Sequence, residues 1–119
     1  MSINDFRDLD VYQHSQKMLP VIDKLCSKIK NQYRELSYNL MKTACQIAPQ
    51  IAEGYAKKSS SDEFKRYLTM AIGSTDEMIA HLEQVKILVK VINHDSVDRL
   101  IAEYEVIVKR LQTLKRVWN

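Results

Sequence analysis

Apolar residues recur along this chain in steps of three and four, the spacing that lines one face of a helix. From about Leu9 to Lys30 the stripe reads Tyr12, Ser15, Leu19, Ile22, Cys26, Ile29 and Tyr33, widened by Val11, Met18 and Leu25. A second segment begins near Glu35, carries Leu36, Leu40, Ala44, Ile47 and Ile51 on one side, and ends between Gly54 and Lys58. The third runs from about Ser61 to Ile92 through Phe64, Leu68, Ala71 or Ile72, Thr75, Met78 or Ile79, Leu82, Val85, Val89 and Ile92. At about 1.5 Å per residue it predicts a rod of roughly 45 Å. The fourth uses Val97, Leu100 or Ile101, Tyr104, Val108, Leu111, Leu114 or Lys115, and Trp118. Pro20 and Pro49 fall inside the first two helices and predict bends there.

The links are short: about Asn31 to Arg34, then Ser59-Ser60-Ser61, then Asn93-His94-Asp95. Ser60 with Glu63 has capping-box spacing, and Asp95 or Ser96 is the expected cap of the last helix. Four long amphipathic helices with such links predict an all-α, up-down-up-down antiparallel four-helix bundle, one domain over residues 1–119.

Both glycines of the chain, Gly54 and Gly73, lie in helical text. An internal helical glycine costs about 1 kcal/mol relative to alanine, so each should mark a cap or a close approach of backbones. If the second and third helices reverse near residues 59 and 60, Gly73 is level with Gln46 and near Pro49, and Gly54 is level with Lys65. This assigns Gly73 a packing contact against the bent part of the second helix. It assigns Gly54 the softening of that helix before a lysine-bearing turn.

Composition changes this picture little. The chain has a formal charge of +3, which permits an acidic partner without requiring one. Cys26 and Cys45 are too few and too far apart for a zinc signature or a disulfide framework. No basic-then-apolar start resembles a secretory signal, and no apolar run nears the ~18 residues that span a membrane. The expectation is a cytoplasmic protein with reduced thiols, no membrane association and no cofactor.

Candidate chemistry is sparse. Glu77 and His81 share a helical face, but a one-turn ion pair explains that spacing as well as a metal site does. Arg7 and His14 have the loose Arg-to-His spacing of HEPN ribonucleases, which are also helical bundles, although here the pair sits at the entrance of the first helix. No Walker loop or dinucleotide fingerprint is present. The basic residues carry more. In an up-down-up-down bundle one end gathers Arg7, Lys57, Lys58, Lys65, Arg66, Lys109, Arg110, Lys115 and Arg116, against Asp5, Asp8, Asp10, Glu53, Asp62 and Glu63. Repeated around an oligomer, this mildly positive end would attract phosphates by counterion release. Candidate nucleic-acid contacts are Lys57, Lys58, Lys65, Arg66 and Lys42, with Tyr55 and Tyr67 as candidate stacking platforms or as core. The plain alternative is a solvated rim of mixed sign.

The stretch from Glu35 to Leu88 resembles the 23S rRNA intervening-sequence proteins. The resemblance rests on Ile51-Ala52-Glu53-Gly54-Tyr55, Lys57-Lys58-Ser59, Glu63-Phe64, Tyr67-Leu68, Ala71, Gly73-Ser74 and Glu77, with Phe6, Leu9, Val11, Tyr12 and Gln13 at the start. It makes Glu53, Gly54, Tyr55, Gly73 and Ser74 a structural motif. It also implies a bacterial four-helix bundle assembled as a ring, typically a homopentamer. Related proteins are accessory subunits of diversity-generating retroelements that bind nucleic acid and a reverse transcriptase. The chain departs from that pattern at Met41-Lys42, where a basic pair is usual, at Pro49, which falls one place late, and at Ala56. Lys57-Lys58 stands where arginine is frequent, and lysine lacks arginine's bidentate phosphate fork.

These readings converge on a non-enzymatic oligomeric bundle that is associated with RNA or DNA or acts as a scaffold. One rival is a protein–protein adaptor using an exposed apolar strip of Val11, Tyr38, Met41, Met70, Ile87 and Val106. The other is a helical-bundle ribonuclease or metal enzyme.

Overall fold

The computed structural model describes residues 2–119. It contains α1 (Asp10–Ser27), α2 (Arg34–Ala56), α3 (Ser61–Leu88) and α4 (His94–Val117), with 3-10 turns at Phe6–Asp8 and Asn31–Tyr33. No strand occurs among the described residues. Consecutive helices pack antiparallel into an up-down-up-down bundle 47 Å long and 22 by 19 Å across.

The stripes read from sequence face one another. Ile22, Leu40, Ile47, Ile51, Phe64, Leu68, Met78, Leu82, Tyr104 and Leu111 are fully buried. Each such aliphatic or aromatic side chain contributes about 1.5–3 kcal/mol of transfer free energy. Ile107 is also fully buried while Val108 is half-buried, so the α4 stripe turns one residue earlier than its spacing predicts. Val11, read both as part of the widened α1 stripe and as a candidate for the exposed strip, is fully buried and belongs to the stripe. The Tyr104 hydroxyl, buried with no hydrogen-bond partner among the described residues, is pushed well above the ordinary phenol pKa by desolvation.

Three helix ends differ from expectation. α1 stops at Ser27 and α3 at Leu88, short of Lys30 and Ile92, although Ile29, Val89 and Ile92 stay buried in the turns that follow. Apolar periodicity continues through a turn that packs on the core, so it overstates helix length. The α4 cap is Asn93, whose side-chain oxygen accepts from the backbone N–H of Asp95 at 2.7 Å, and not Asp95 or Ser96. Ser60 caps α3 through the Glu63 N–H at 3.3 Å. The return half of that box is missing because the Glu63 carboxylate pairs with Arg66 at 3.1 Å. α1 and α2 run unbroken through Pro20 and Pro49. Both prolines are exposed, as are Gln16 and Cys45, whose carbonyls lose their helical donor to them and can be hydrated.

The packing contact that level-matching assigned to Gly73 belongs to Gly54 instead. A Cβ on Gly54 would lie 2.6 Å from the Tyr67 Cβ and 3.1 Å from Phe64 Cδ1, so here the α2 backbone packs directly against the Tyr67 and Phe64 side chains of α3. A Cβ on Gly73 would meet nothing within 4 Å, and Gly73 is exposed. The axial levels were right. The neighbour of Gly73, Ser74, donates to Gln50 at 2.9 Å, and Thr43 donates to Glu77 at 2.7 Å across the same seam. Level does not fix direction, because a helix turns about 100° per residue, and that rotation carries Gly73 off the seam.

Candidate nucleic-acid interface

The basic end of the bundle forms where the α2–α3 turn meets the last turns of α4. Beneath it lies an aromatic plug. Phe64 meets Trp118 edge-on at 4.6 Å and Tyr55 at 5.9 Å between ring centroids. Tyr55 and Tyr67 are both buried. Their faces are occupied: Lys58 lies 4.3 Å over Tyr55, and Lys57 and Arg66 lie 5.0 and 4.7 Å from the Tyr67 centroid. The tyrosines therefore serve as core and as seats for cations, and neither offers a free face for a base to stack on.

The cations at this end fall into two groups. Lys57 donates to the Tyr67 hydroxyl at 3.2 Å, which raises its pKa above the ordinary lysine value. Arg66 is held by Glu63, which raises the pKa of the guanidinium and lowers that of the carboxylate. Arg7 turns to Asp5 at 3.2 Å. These charges are partly matched within the molecule. Lys65 differs. With Thr69 and Ile72 it forms one face of α3 at four- and three-residue spacing, and Gln112, Lys115 and Arg116 of α4 stand opposite. Together they line a groove of about 540 Å³ that carries three cations and no carboxylate. The α4 C-terminus gains from Lys115 and Arg116 in its last turn, because cations there oppose the helix dipole.

Gln112 joins this groove to a second recess of about 430 Å³ along the same α3–α4 seam, lined by Asp76, Ile79, Glu105, Val108 and Lys109. The sign of the lining becomes mixed at Asp76 and Glu105, which bounds the phosphate-compatible stretch. Lys57, Lys58, Lys65 and Arg66 are gathered at the basic end, whereas Lys42 lies on the exposed side of α2 beside Tyr38, 6.0 Å from its ring. Lys42 is separated from Lys57 by some four helical turns, about 22 Å. Thr69 and Gln112 were not singled out from sequence; Thr69 lies one turn after Lys65, and that spacing was the available signal.

The rival chemistries are dispersed. His14 bonds Glu103 across the α1–α4 seam at 2.9 Å, away from the Asp5 that Arg7 engages. His81 pairs with Glu77 at 3.3 Å as a one-turn pair. The Glu77 carboxyl is held below its ordinary pKa chiefly by the Thr43 hydroxyl and then by His81. Among the described residues no three His, Cys, Asp or Glu side chains are grouped to hold a metal ion, and no helix is long and apolar enough to cross a membrane.

One protein-family model, described as 23S rRNA-intervening sequence protein, matches residues 7–113. No curated protein and no solved structure matches the chain.

Proposed function

Because the chain belongs to the 23S rRNA-intervening sequence protein family, we propose that it works without catalysis, as an oligomeric bundle whose α3–α4 groove holds the phosphate backbone of RNA. The observation that carries this reading is the groove of Lys65, Lys115 and Arg116, which has no carboxylate in its lining. Three cations converging on one channel attract successive phosphates and release their counterions, a recognition that is indifferent to sequence. Buried Tyr55 and Tyr67 make base stacking a minor part of the affinity.

Oligomerisation strengthens the reading, because copies of a weakly charged groove add into a field that one copy lacks. The exposed side of the α2–α3 pair, with Tyr38, Met70 and Gly73, is the face we assign to neighbouring copies. The family resemblance supports a ring, and a cytoplasmic setting fits a partner of ribosomal RNA.

The test is an anisotropy titration of a labelled RNA oligonucleotide over a salt series. Binding should weaken steeply with salt, and Lys65→Glu with Lys115→Glu should weaken it at least about tenfold and flatten the salt slope by about one per lost contact. No binding at ~50 mM salt, or full binding by the double variant, overturns the nucleic-acid reading. Light scattering tests the assembly separately.

A further inference from the structure

The opposite end of the bundle concentrates exposed apolar surface. Ile87, Leu88 and Val91 are three of the nine large hydrophobic residues exposed on the described chain, and they fall within five positions. Ile87 is 64% exposed and Val91 71%. Ile87 and Leu88 lie in the last turn of α3 off its buried stripe; past Leu88 the chain turns, Val89 folds inward onto the core, and Val91 is thrown outward.

A recess of about 180 Å³ opens beside them, between this turn and the α1–α2 link, lined by Lys30, Gln32, Tyr33, Leu88, Val89, Lys90 and Val91. Its charged groups are Lys30 and Lys90 alone, and neither makes an ion pair among the described residues. The nearby Lys86 is already committed to Asp98 at 2.7 Å and Glu83 at 3.8 Å. An apolar floor with an unmatched positive rim is complementary to an apolar side chain carried on an acidic segment.

We propose that this recess docks an acidic peptide segment of a partner protein, which seats one leucine- or phenylalanine-sized side chain between Tyr33 and Leu88 while its carboxylates face Lys30 and Lys90. Size and shape choose this occupant. The recess is below the ~300 Å³ of ordinary small-molecule sites and suits a single anchoring side chain of the kind that dominates protein interfaces. A nucleic-acid backbone offers nothing to Ile87, Leu88 and Val91. A lipid surface would engage a protruding basic and apolar face and leave a recess empty. α3 holds the recess roughly 30 Å from the phosphate groove, so both ends can be occupied at once.

The test is selection of phage-displayed random peptides on the full chain, with the enriched sequences remade as labelled peptides and titrated. Acidic sequences with one large apolar anchor are expected. Lys30→Glu with Lys90→Glu, and Val91→Asp separately, should each weaken them at least about tenfold. Both variants are at exposed positions, and circular dichroism checks that helicity is kept. Enrichment of sequences lacking acidic residues, or full binding by the variants, overturns the proposal. So does wild-type binding to phosphatidylserine vesicles that Val91→Asp abolishes, which would assign the face to lipid. A drop in assembly mass in Val91→Asp would assign it to a second copy and overturn the proposal equally. RNA binding should be unchanged in these variants, so this inference and the phosphate groove fail independently.

Discussion

The α2–α3 seam is built in two ways along its length. At the level of Gly54 it is apolar and drawn tight: the Phe64 and Tyr67 side chains close over the glycine, and a Cβ there would force one of them to shift. At the level of Gly73 it carries polar links, Ser74 with Gln50 and Thr43 with Glu77, while Gly73 itself looks outward into open space. Two glycines in similar text, on two helices that pack together, therefore do different things. What decides is the azimuth of each residue and whether the facing helix places a Cβ against it.

The sharpest way to break this contrast is to remove the wall at the tight level. Phe64→Ala should cost about 3–5 kcal/mol, read as a lowered midpoint in urea, because Phe64 is fully buried between Tyr55 and Trp118. Gly54→Ala should cost about 1–3 kcal/mol by overpacking, net of alanine's better helix propensity. Its obstacle is the Tyr67 Cβ, so Tyr67→Ala should not relieve the penalty, whereas Tyr67→Gly should recover about 1 kcal/mol of it in a double-mutant cycle. A neutral Gly54→Ala would show that the helices can part at this level without cost.

At the polar level the effects are smaller. Glu77→Ala should cost about 1 kcal/mol, because the buried Thr43 hydroxyl loses its acceptor. The Glu77 carboxyl has a lowered pKa in the folded chain. Its stabilisation is therefore complete above the ordinary glutamate value of about 4.3 and is lost as pH falls through the lowered folded value. Thermal midpoints should fall on acidification through that range, and Glu77→Gln should flatten the fall. Gly73→Ala, the smallest effect, should stabilise the chain by about 0.5–1 kcal/mol through helix propensity alone. If it instead destabilises the protein or lowers its assembly mass, the open side of α3 is covered by a close neighbour.

Bundle topology was legible in the sequence because the apolar stripe of each helix is set by short-range periodicity, and reversal at Ser59-Ser60 fixed the axial levels within a turn. Direction around the helix was not legible to the same accuracy. Gly73 was turned the wrong way, and Val108 was named where Ile107 faces the core, each a slip of the step of one or two residues that separates a facing position from a flanking one. Ends were blurred because Val89 and Ile92 pack on the core from a turn and mimic another helical repeat. At the basic end, sequence placed Lys65, Lys115 and Arg116 at one level. Which cations have matching charges nearby depended on side-chain pairings such as Arg66 with Glu63, and charge counting along a chain cannot supply those.

Trp118 is the only tryptophan in the chain, and it is seated edge-on against Phe64, 4.6 Å away, in the plug under the basic end. The molecule thus carries an optical gauge attached to one end alone. An event that loosens or wets the plug should shift and quench indole emission. Occupancy of the far recess, about 40 Å along the bundle, should leave that emission dark to the change. One spectrum, taken without any label, can therefore report which end of the rod a partner has reached.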